Sequence, residues 1–220
     1  MIEFIVFLIF IYTVFFVLEI RDAVKEVYMD EYIEKIMNHV ECKHDNPSTI
    51  SKKFKHDIIE WSMTLPKQSK TIVELGTHKG HTTYILSHFF DRVYTVNLPG
   101  RMDSAMDFNK DRTNIKYIEL DIYKNYKIGS IPDSYVLFSD AVHTYDAVQS
   151  DYEIAKTLNC KYIIFDDYGL IAEVRKCVDD LIKYNLIEFV KFMGHDAGHK
   201  FDDSRTLMQP EGVLAMIVYE

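Results

Sequence analysis

The sequence has few cysteines and a shortage of positive charge, and each feature excludes a class of protein. The three cysteines, Cys42, Cys160 and Cys177, are widely spaced and form no CxxC motif. This pattern suggests neither a disulfide framework nor a zinc knuckle, so we expect reduced thiols. Lysine and arginine number 25 against 34 aspartates and glutamates, which gives a formal net charge of -9. A general nucleic-acid binder needs a basic surface, so we expect a small-molecule partner and no nucleic acid.

The sequence also lacks the motifs of common nucleotide sites. It contains neither GxGxxG nor the GK[ST] of a phosphate-binding loop, so ATP is disfavoured. It has no internal repeat and no low-complexity tract. With 220 residues, of which 48% are hydrophobic, the chain is long enough for one α/β domain with a sizeable core, and two full domains are not expected.

The N-terminus is an apolar exception to this composition. The segment FIVFLIFIYTVFFVL, residues 4–18, carries no charge, and 13 of its residues are Leu, Ile, Val or Phe. A helix over residues 2–20 spans about 28 Å, close to the roughly 30 Å of a hydrocarbon core. No basic n-region or small-residue cleavage site marks a signal peptide. Because Arg21 and Lys25 follow, we expect residues 1–20 to be a transmembrane helix that anchors a cytoplasmic catalytic domain.

Two alternatives to a membrane anchor stay open. The apolar segment could be a helix buried in an oligomer, or an upstream extension of a chain whose translation starts at Met29. In either case we expect a soluble cytoplasmic protein. Residues 21–66 are predicted to be a helical preface, with an amphipathic helix over 22–40 and a second helix over about 49–64.

After Lys70 the pattern changes to short apolar strands that alternate with helical stretches. The strands are predicted at 71–75, 92–98, 115–120, 134–139 and 161–165, with helices near 80–90, 102–112, 144–158 and 170–184. This alternation predicts a parallel, doubly wound α/β sheet with helices on both faces. Two further strands, 186–192 and 212–219, are predicted to form an antiparallel pair at one edge.

A glycine-containing loop follows the first predicted strand. The stretch VELGTHKGHTT, residues 73–83, places Gly76 at the strand end and Gly80 at the start of a helix. Gly76 can turn tightly without a Cβ clash, and Gly80 permits close approach of the backbone. The helix directs its first amides at a ligand. Taken alone, this pattern is a weak signal.

The order of these features resembles the class I S-adenosylmethionine-dependent methyltransferases, over about residues 70–220. E-x-G-x-x-x-G is followed by the end of the second strand, by Asp121 after the third, and by aspartates after the fourth and fifth. The resemblance implies a mostly parallel seven-stranded sheet of the Rossmann-like methyltransferase fold, with an N-terminal helical extension. It also implies a methyltransferase domain over residues 67–220 and S-adenosyl-L-methionine as the cofactor.

The resemblance further implies which residues bind the cofactor. The loop that contacts the methionine part in that family corresponds here to Glu74, Gly76, Thr77 and Gly80. Asn97 stands where the family has an acidic residue that binds the ribose hydroxyls, and an amide can still hydrogen-bond a hydroxyl, without charge. Asp121 is the candidate for the adenine end. Glu74 could instead satisfy loop amides, and Asp121 could cap a turn.

Acidic residues follow the fourth and fifth strands. Asp140 and His143 form a D-x-x-H-x-Y segment, and Asp166 and Asp167 are adjacent. This arrangement is similar to the metal-dependent O-methyltransferases that modify sugars on macrolide and aminocoumarin natural products. That likeness implies Mg²⁺ (or Mn²⁺) bound by Asp140, Asp166 and Asp167, with His143 as the catalytic base and Asp140 beside it.

Elementary electrostatics supports a cation among these carboxylates. Three carboxylates at neighbouring strand ends repel one another, and a hard divalent cation turns that repulsion into attraction. A bound substrate hydroxyl would then have a lowered pKa, and a histidine that titrates near neutrality could accept its proton. The alternative is that Asp140 and Asp167 are N-caps of the helices that follow them.

The resemblance implies an O-methyltransferase that acts on a hydroxyl of a sugar or a similar polar small molecule. One rival is an enzyme of the same fold that acts on a catechol-like hydroxyl, and another is a relative with hydroxylase-like chemistry. The rival from a different class is a non-catalytic protein that kept the fold for binding or assembly, which Asn97 keeps open. A homo-oligomer is also left open. Cofactor binding separates the enzymes from a scaffold.

Overall fold

The apolar strand segments form one seven-stranded sheet. The computed structural model describes residues 14, 16, 18–20, 27–41, 49–66, 70–124, 131–194 and 210–219. The strands are β1 (Thr71–Leu75), β2 (Arg92–Asn97), β3 (Ile115–Glu119), β4 (Val136–Ser139), β5 (Tyr162–Phe165), β6 (Ile187–Met193) and β7 (Gly212–Ile217). Their order across the sheet is β3-β2-β1-β4-β5-β7-β6. Strands β1 to β5 run parallel, and β7 is antiparallel to both of its neighbours.

Helices connect most of these strands. Residues 27–37 are helical and are called α1. The others are α2 (Lys52–Thr64), α3 (His81–Phe89), α4 (Asp103–Phe108), α5 (Tyr145–Thr157) and α6 (Ala172–Lys183). The described residues up to Val40 form one unit, and those from Glu41 onward form a second unit that contains the whole sheet. The division of the chain at residues 20 and 66 stays a prediction.

The central strands show why the strand predictions succeed. Val73 of β1, Leu137 of β4 and Ile163 of β5 are fully buried, and every residue of β4 is buried. Strands covered on both faces read as continuous apolar runs, because neither face can carry exposed polar side chains. The edge strand β3 is only partly buried and alternates with exposed lysine and glutamate. The predicted fold class, a mostly parallel doubly wound sheet, is confirmed.

The strand order reverses between β1 and β4. From β1 the chain moves outward through β2 and β3, then returns to place β4 on the other side of β1. At such a reversal the connections leave the sheet in opposite directions, so a crevice opens at the carboxyl ends of the two strands. The segments that follow β1 and β4 therefore define where a ligand can enter.

The prediction of a transmembrane helix is wrong. Across the described ranges, no helix is both long enough and apolar enough to cross a bilayer. Spanning requires about 20 consecutive apolar helical residues, whereas α1 carries four charged residues within its eleven positions. Most of the apolar segment 4–18 lies outside the described residues, which include only positions 14, 16 and 18 of it.

Helix α2 packs on the sheet and is held by its first residues. Phe54 meets the ring of Phe138 on β4 edge to face, with 6.0 Å between ring centroids. The buried Ser51 is the N-cap, and its Oγ accepts a hydrogen bond of 3.0 Å from the Phe54 amide. The amide of Ser51 donates to the Glu211 carboxylate, with 3.0 Å to Oε1. This capping satisfies amides that the helix itself leaves without partners.

Ser51→Ala removes the capping oxygen but keeps the backbone amide that donates to Glu211. We expect the free energy of unfolding to fall by about 1 kcal/mol, because a buried helix amide loses its acceptor. Chemical denaturation followed by circular dichroism measures this change. Ser150→Ala is the control, since it removes a serine hydroxyl from inside α5, where alanine has the higher helix propensity. Equal stability of Ser51→Ala and the parent protein would contradict the capping role.

Candidate active site

The turn after β1 makes the closest backbone approach in the site. Gly76 has φ 97°, a left-handed conformation that favours glycine. Its amide donates to the Val96 carbonyl over 2.9 Å, and the amide of Asp140 donates to the Leu75 carbonyl over 2.9 Å. A Cβ at Gly76 would lie 1.9 Å from the carbonyl oxygen of Asp140. Only glycine therefore fits at the point where the β1 and β4 connections separate.

A cleft of about 880 Å³ opens at the carboxyl ends of the strands. Its walls come from the segments that follow β1, β2, β3 and β4, as expected for the reversal of strand order. The residues used below that line it are Gly76, Asn97, Arg101, Asp121, Tyr123, Asp140 and Val142. A cleft of this volume is in the range of sites for small molecules and cofactors.

Three of the predicted cofactor residues line this cleft, and three do not. Gly76, Asn97 and Asp121 are in its wall, whereas Glu74, Thr77 and Gly80 are not among the lining residues. The Oδ1 atom of Asn97 accepts a hydrogen bond of 2.8 Å from the next backbone amide, so part of its hydrogen-bonding capacity is used within the turn. The cofactor roles of all six residues stay predictions.

Glu74 lies beneath the loop and connects it to its neighbours. Its Oε2 accepts hydrogen bonds of 2.5 Å from Thr83 on α3 and 2.6 Å from Thr95 on β2. The Thr95 hydroxyl is also 2.6 Å from that of Thr77 in the loop. Burial raises the pKa of Glu74 to about 8, against the opposing effect of the two threonine hydroxyls. The side chain therefore holds its proton at neutral pH and anchors the loop from below.

Gly80 allows close helix packing rather than access for a ligand. It precedes α3 with φ 82°, and a Cβ there would lie 2.5 Å from Nδ2 of Asn109 and 2.9 Å from the Cβ of Ala105 on α4. The same Nδ2 donates to the Gly80 carbonyl over 3.0 Å. The close approach predicted for this glycine is real, but the group that approaches it belongs to α4.

The predicted base and its carboxylates come together at the ends of β4 and β5. Nε2 of His143 is 3.6 Å from Oδ1 of Asp140, and Nδ1 is 3.6 Å from Oδ2 of Asp167. Both separations exceed those of ordinary hydrogen bonds, so the two contacts are ion pairs when the imidazole is protonated. Burial tends to lower the pKa of His143, but Asp140, Asp167 and Asp151 outweigh it and raise that pKa.

Asp140 and Asp166 directly follow Ser139 and Phe165, which are paired between β4 and β5. Burial raises the pKa of Asp140, and the charge of Asp167 adds to that rise, while His143 and Asp166 oppose it. Two neighbouring carboxylates repel each other when both are ionised. A proton or a cation bound between them relieves that repulsion.

The structure does not show a formed metal centre. Among the described residues, no group of three or more His, Cys, Asp or Glu side chains is arranged to hold a metal ion. Asp140, Asp166 and Asp167 suit a hard cation by donor type, since all offer carboxylate oxygens, but they do not converge on one point. Their role as metal ligands stays a prediction.

Neither strand-end aspartate caps the helix that follows it. The N-cap of α5 is Thr144, whose Oγ1 accepts a hydrogen bond of 3.4 Å from the Ala147 amide. The N-cap of α6 is Ile171, four residues beyond Asp167. Asp167 itself has φ 55°, an unusual value for a residue other than glycine. The helix-capping alternative for Asp140 and Asp167 therefore does not hold in this structure.

The sequence reasoning missed a buried carboxyl next to the cleft. Asp151 on α5 is fully buried, and it accepts hydrogen bonds from Ser139, over 2.6 Å, and from Tyr123, over 3.1 Å. A signal was present, because Asp151 falls on the apolar face of α5, three residues after Val148 and four before Ala155. A lone carboxyl on a core-facing stripe needs buried partners.

The fold is that of the class I S-adenosylmethionine-dependent methyltransferases. Neither a family profile nor a curated protein matches the sequence. Solved structures do match, among them the O-methyltransferase TomG from Streptomyces achromogenes, involved in tomaymycin synthesis and bound to SAM. It is 15% identical, with a TM-score of 0.54 over 76% of this chain and 79% of that one.

Two more solved structures show how far this likeness extends. An O-methyltransferase from Bacillus cereus bound to SAH is 14% identical, with a TM-score of 0.55 over 76% of this chain and 80% of that one. An rRNA methylase from Streptococcus thermophilus is 11% identical, with a TM-score of 0.55 over 76% of this chain and 98% of that one. These neighbours differ in what they act on, so the likeness defines the fold and leaves the acceptor open.

Gly76→Ala tests the close approach that forms the cleft. We expect the free energy of unfolding to fall by about 3 kcal/mol, because the left-handed backbone alone costs 1–2 kcal/mol and the Cβ overlaps the Asp140 carbonyl. Gly100→Ala is the matched control: Gly100 has φ 72°, and a Cβ there has no atom within 4 Å. We expect about 1 kcal/mol for the control. Equal losses in denaturation experiments would show that the approach is not tight.

Proposed function

We propose that the protein is an S-adenosylmethionine-dependent O-methyltransferase. The observation that carries this proposal is the cleft at the reversal of strand order. Gly76, Asn97, Asp121 and Asp140 all line this cleft. The cleft suits a cofactor of nucleoside type, and the charged cluster around His143 supplies an acid-base group beside it. The solved neighbours bound to SAM and SAH support the same cofactor.

The proposed roles follow from position in the cleft. The backbone at Gly76 approaches the cofactor without an intervening side chain, and Glu74 and Thr77 hold that turn in place from below. Asn97 offers its amide to the ribose hydroxyls, and Asp121 receives a donor from the other end of the cofactor. The wall from 98 to 101 is braced because Glu119 accepts a hydrogen bond of 2.8 Å from the Gly100 amide.

His143 is the proposed base for the acceptor hydroxyl. In the reaction the acceptor oxygen forms a bond to the methyl carbon, the bond from that carbon to sulfur breaks, and the hydroxyl proton passes to the imidazole. The products are a methyl ether and S-adenosylhomocysteine. Asp140 and Asp167, each 3.6 Å from a ring nitrogen, stabilise the imidazolium that results. Such base assistance contributes roughly 10²- to 10⁴-fold in rate.

A divalent cation, Mg²⁺ or Mn²⁺, is part of the proposal. Asp140, Asp166 and Asp167 would hold it. When bound, the cation would lower the pKa of the acceptor hydroxyl and orient it. The support is the donor set, since carboxylate oxygens are the ligands that these hard cations prefer.

The proposed acceptor is a small molecule with a hydroxyl, such as a sugar. The support is the spacing D-x-x-H after β4 and the Asp-Asp pair after β5, which resemble the sugar O-methyltransferases. A catechol-like acceptor would use the same cation and base, and a screen of both acceptor types decides between them. If no cofactor binds, the protein is instead a non-catalytic binding or assembly protein.

Calorimetric titration of the full chain with S-adenosylmethionine and with S-adenosylhomocysteine, each with and without Mg²⁺, tests the proposal. We expect dissociation constants in the micromolar range, because the cleft and its turn are already formed. ATP is the control ligand, and we expect no binding because the phosphate-loop motif is missing. Absence of binding by both cofactor forms under both conditions would exclude a methyltransferase and favour the non-catalytic alternative.

The titration of His143 tests the charged cluster without an acceptor. We expect its pKa to lie above the ordinary 6.5, because the surrounding carboxylates favour the imidazolium. The neutral base then predominates only above that raised pKa, so the rate should increase with pH through it. Nuclear magnetic resonance of the imidazole protons, assigned with His143→Gln, measures the pKa directly.

Matched variants make this measurement specific. Asp167→Asn should lower the pKa of His143, whereas Asp91→Asn, at an exposed position after α3, should leave it unchanged. Added Mg²⁺ should lower the same pKa, because a cation among the carboxylates repels the imidazolium. A His143 pKa at or below 6.5 would contradict the cluster, and no response to Mg²⁺ or Mn²⁺ would remove the cation from the proposal.

A further inference from the structure

A buried side-chain network lies behind the cleft and next to the proposed catalytic cluster. Its centre is Asp151, whose carboxyl is fully buried in the face of α5 that packs on the sheet. Burial raises the pKa of Asp151 to about 7, with the hydroxyls of Ser139 and Tyr123 acting in the opposite direction. None of the roles assigned above uses this group.

The two hydroxyls that Asp151 binds come from two segments that lead into the cleft. Ser139 is the last residue of β4 and immediately precedes the cleft residue Asp140, and its Oγ is 2.6 Å from Oδ2 of Asp151. Tyr123 is in the wall that follows β3, and its hydroxyl is 3.1 Å from Oδ1. One carboxyl therefore joins two wall segments that are separate in sequence.

The Tyr123 hydroxyl joins the wall after β3 to α5 through its hydrogen bond to Asp151. Val142, which lines the cleft on the β4 side, acts through its backbone to lower the pKa of the same phenol. The phenol therefore connects the wall after β3 to the segment around β4 and α5.

Burying such a network costs free energy that apolar packing would avoid. A buried carboxyl whose hydrogen-bond partners are neutral hydroxyls is expensive to enclose, and a side chain of similar size without charge would fill the same space. What the carboxyl adds is geometry: it has two acceptor oxygens that hold two donors at fixed positions. Fixed walls reduce the ordering that a ligand must otherwise impose when it binds.

We propose that Asp151, through Ser139 and Tyr123, is a positioning residue that holds the two walls of the cofactor cleft at the spacing that S-adenosylmethionine requires. This inference rests on the proposed function, because it assigns the cleft to the cofactor. It adds residues that act through the shape of the cleft and not through contact with the methyl group.

Tyr123→Phe tests the network, because it removes one hydroxyl and keeps the ring. Calorimetry with S-adenosylhomocysteine should show about fivefold weaker binding, as expected for the loss of one net hydrogen bond from the cleft wall. Tyr117→Phe is the matched control. Its hydroxyl donates to the Ala105 carbonyl over 3.1 Å and the residue is not among those that line the cleft, so we expect unchanged affinity.

A double variant separates positioning from general loss of stability. If Asp151 joins the two walls, Ser139→Ala and Tyr123→Phe break the same connection, so their combined effect on affinity should be smaller than the product of the single effects. Thermal unfolding of each variant shows that the measurement is made on folded protein. The positioning role would be overturned if the effect of the double variant on affinity equalled the product of the two single effects. It would also be overturned if Tyr117→Phe weakened binding as much as Tyr123→Phe does.

The parent protein distinguishes this inference from the function on which it rests. If the parent binds S-adenosylhomocysteine and Tyr123→Phe binds it equally well, the positioning role is wrong and the proposed function stands. If the parent itself does not bind, the proposed function fails and the positioning role fails with it.

Discussion

The site depends on one backbone constraint, the contact between the turn after β1 and the end of β4. A Cβ at Gly76 would lie 1.9 Å from the carbonyl oxygen of Asp140, so there is no room for a side chain. The two parallel strands are paired to their last residues, Leu75 and Ser139, and Gly76 and Asp140 follow directly. The crevice that opens there is the cleft, so its position follows from a single glycine and from the reversal of strand order.

Buried carboxyls behind the cleft connect the segments that surround it. Glu74 joins the glycine turn to β2 and α3, and Asp151 joins the β3 and β4 sides. Burial raises the pKa of both groups, to about 8 for Glu74 and about 7 for Asp151. Both carboxyls are enclosed at a cost in free energy, and both satisfy hydroxyls that hold cleft segments in place. In the proposed enzyme, positioning of this kind is the protein's main contribution, since the cofactor carries the methyl group.

Much of the fold could be predicted from the sequence, because buried parallel strands read as short apolar runs. Each predicted strand overlaps an observed one, and the predicted grouping of Asp140 and His143 with Asp167 is present. The direction of side chains could not be predicted: the apolar pattern does not show that Glu74 faces Thr95 or that Gly80 faces α4. The expected transmembrane helix is wrong, since no helix among the described residues is both long enough and apolar enough to cross a membrane.

The most direct test of the account is a crystal structure of the protein with S-adenosylhomocysteine. We predict that the ligand lies in the cleft, against the backbone of Gly76, with Asn97 and Asp121 within hydrogen-bonding distance. His143 should then face the position that the transferred methyl group would occupy. A ligand bound elsewhere on the chain, or a cleft that stays closed to it at saturating concentration, would contradict the assignment of this cleft to the cofactor.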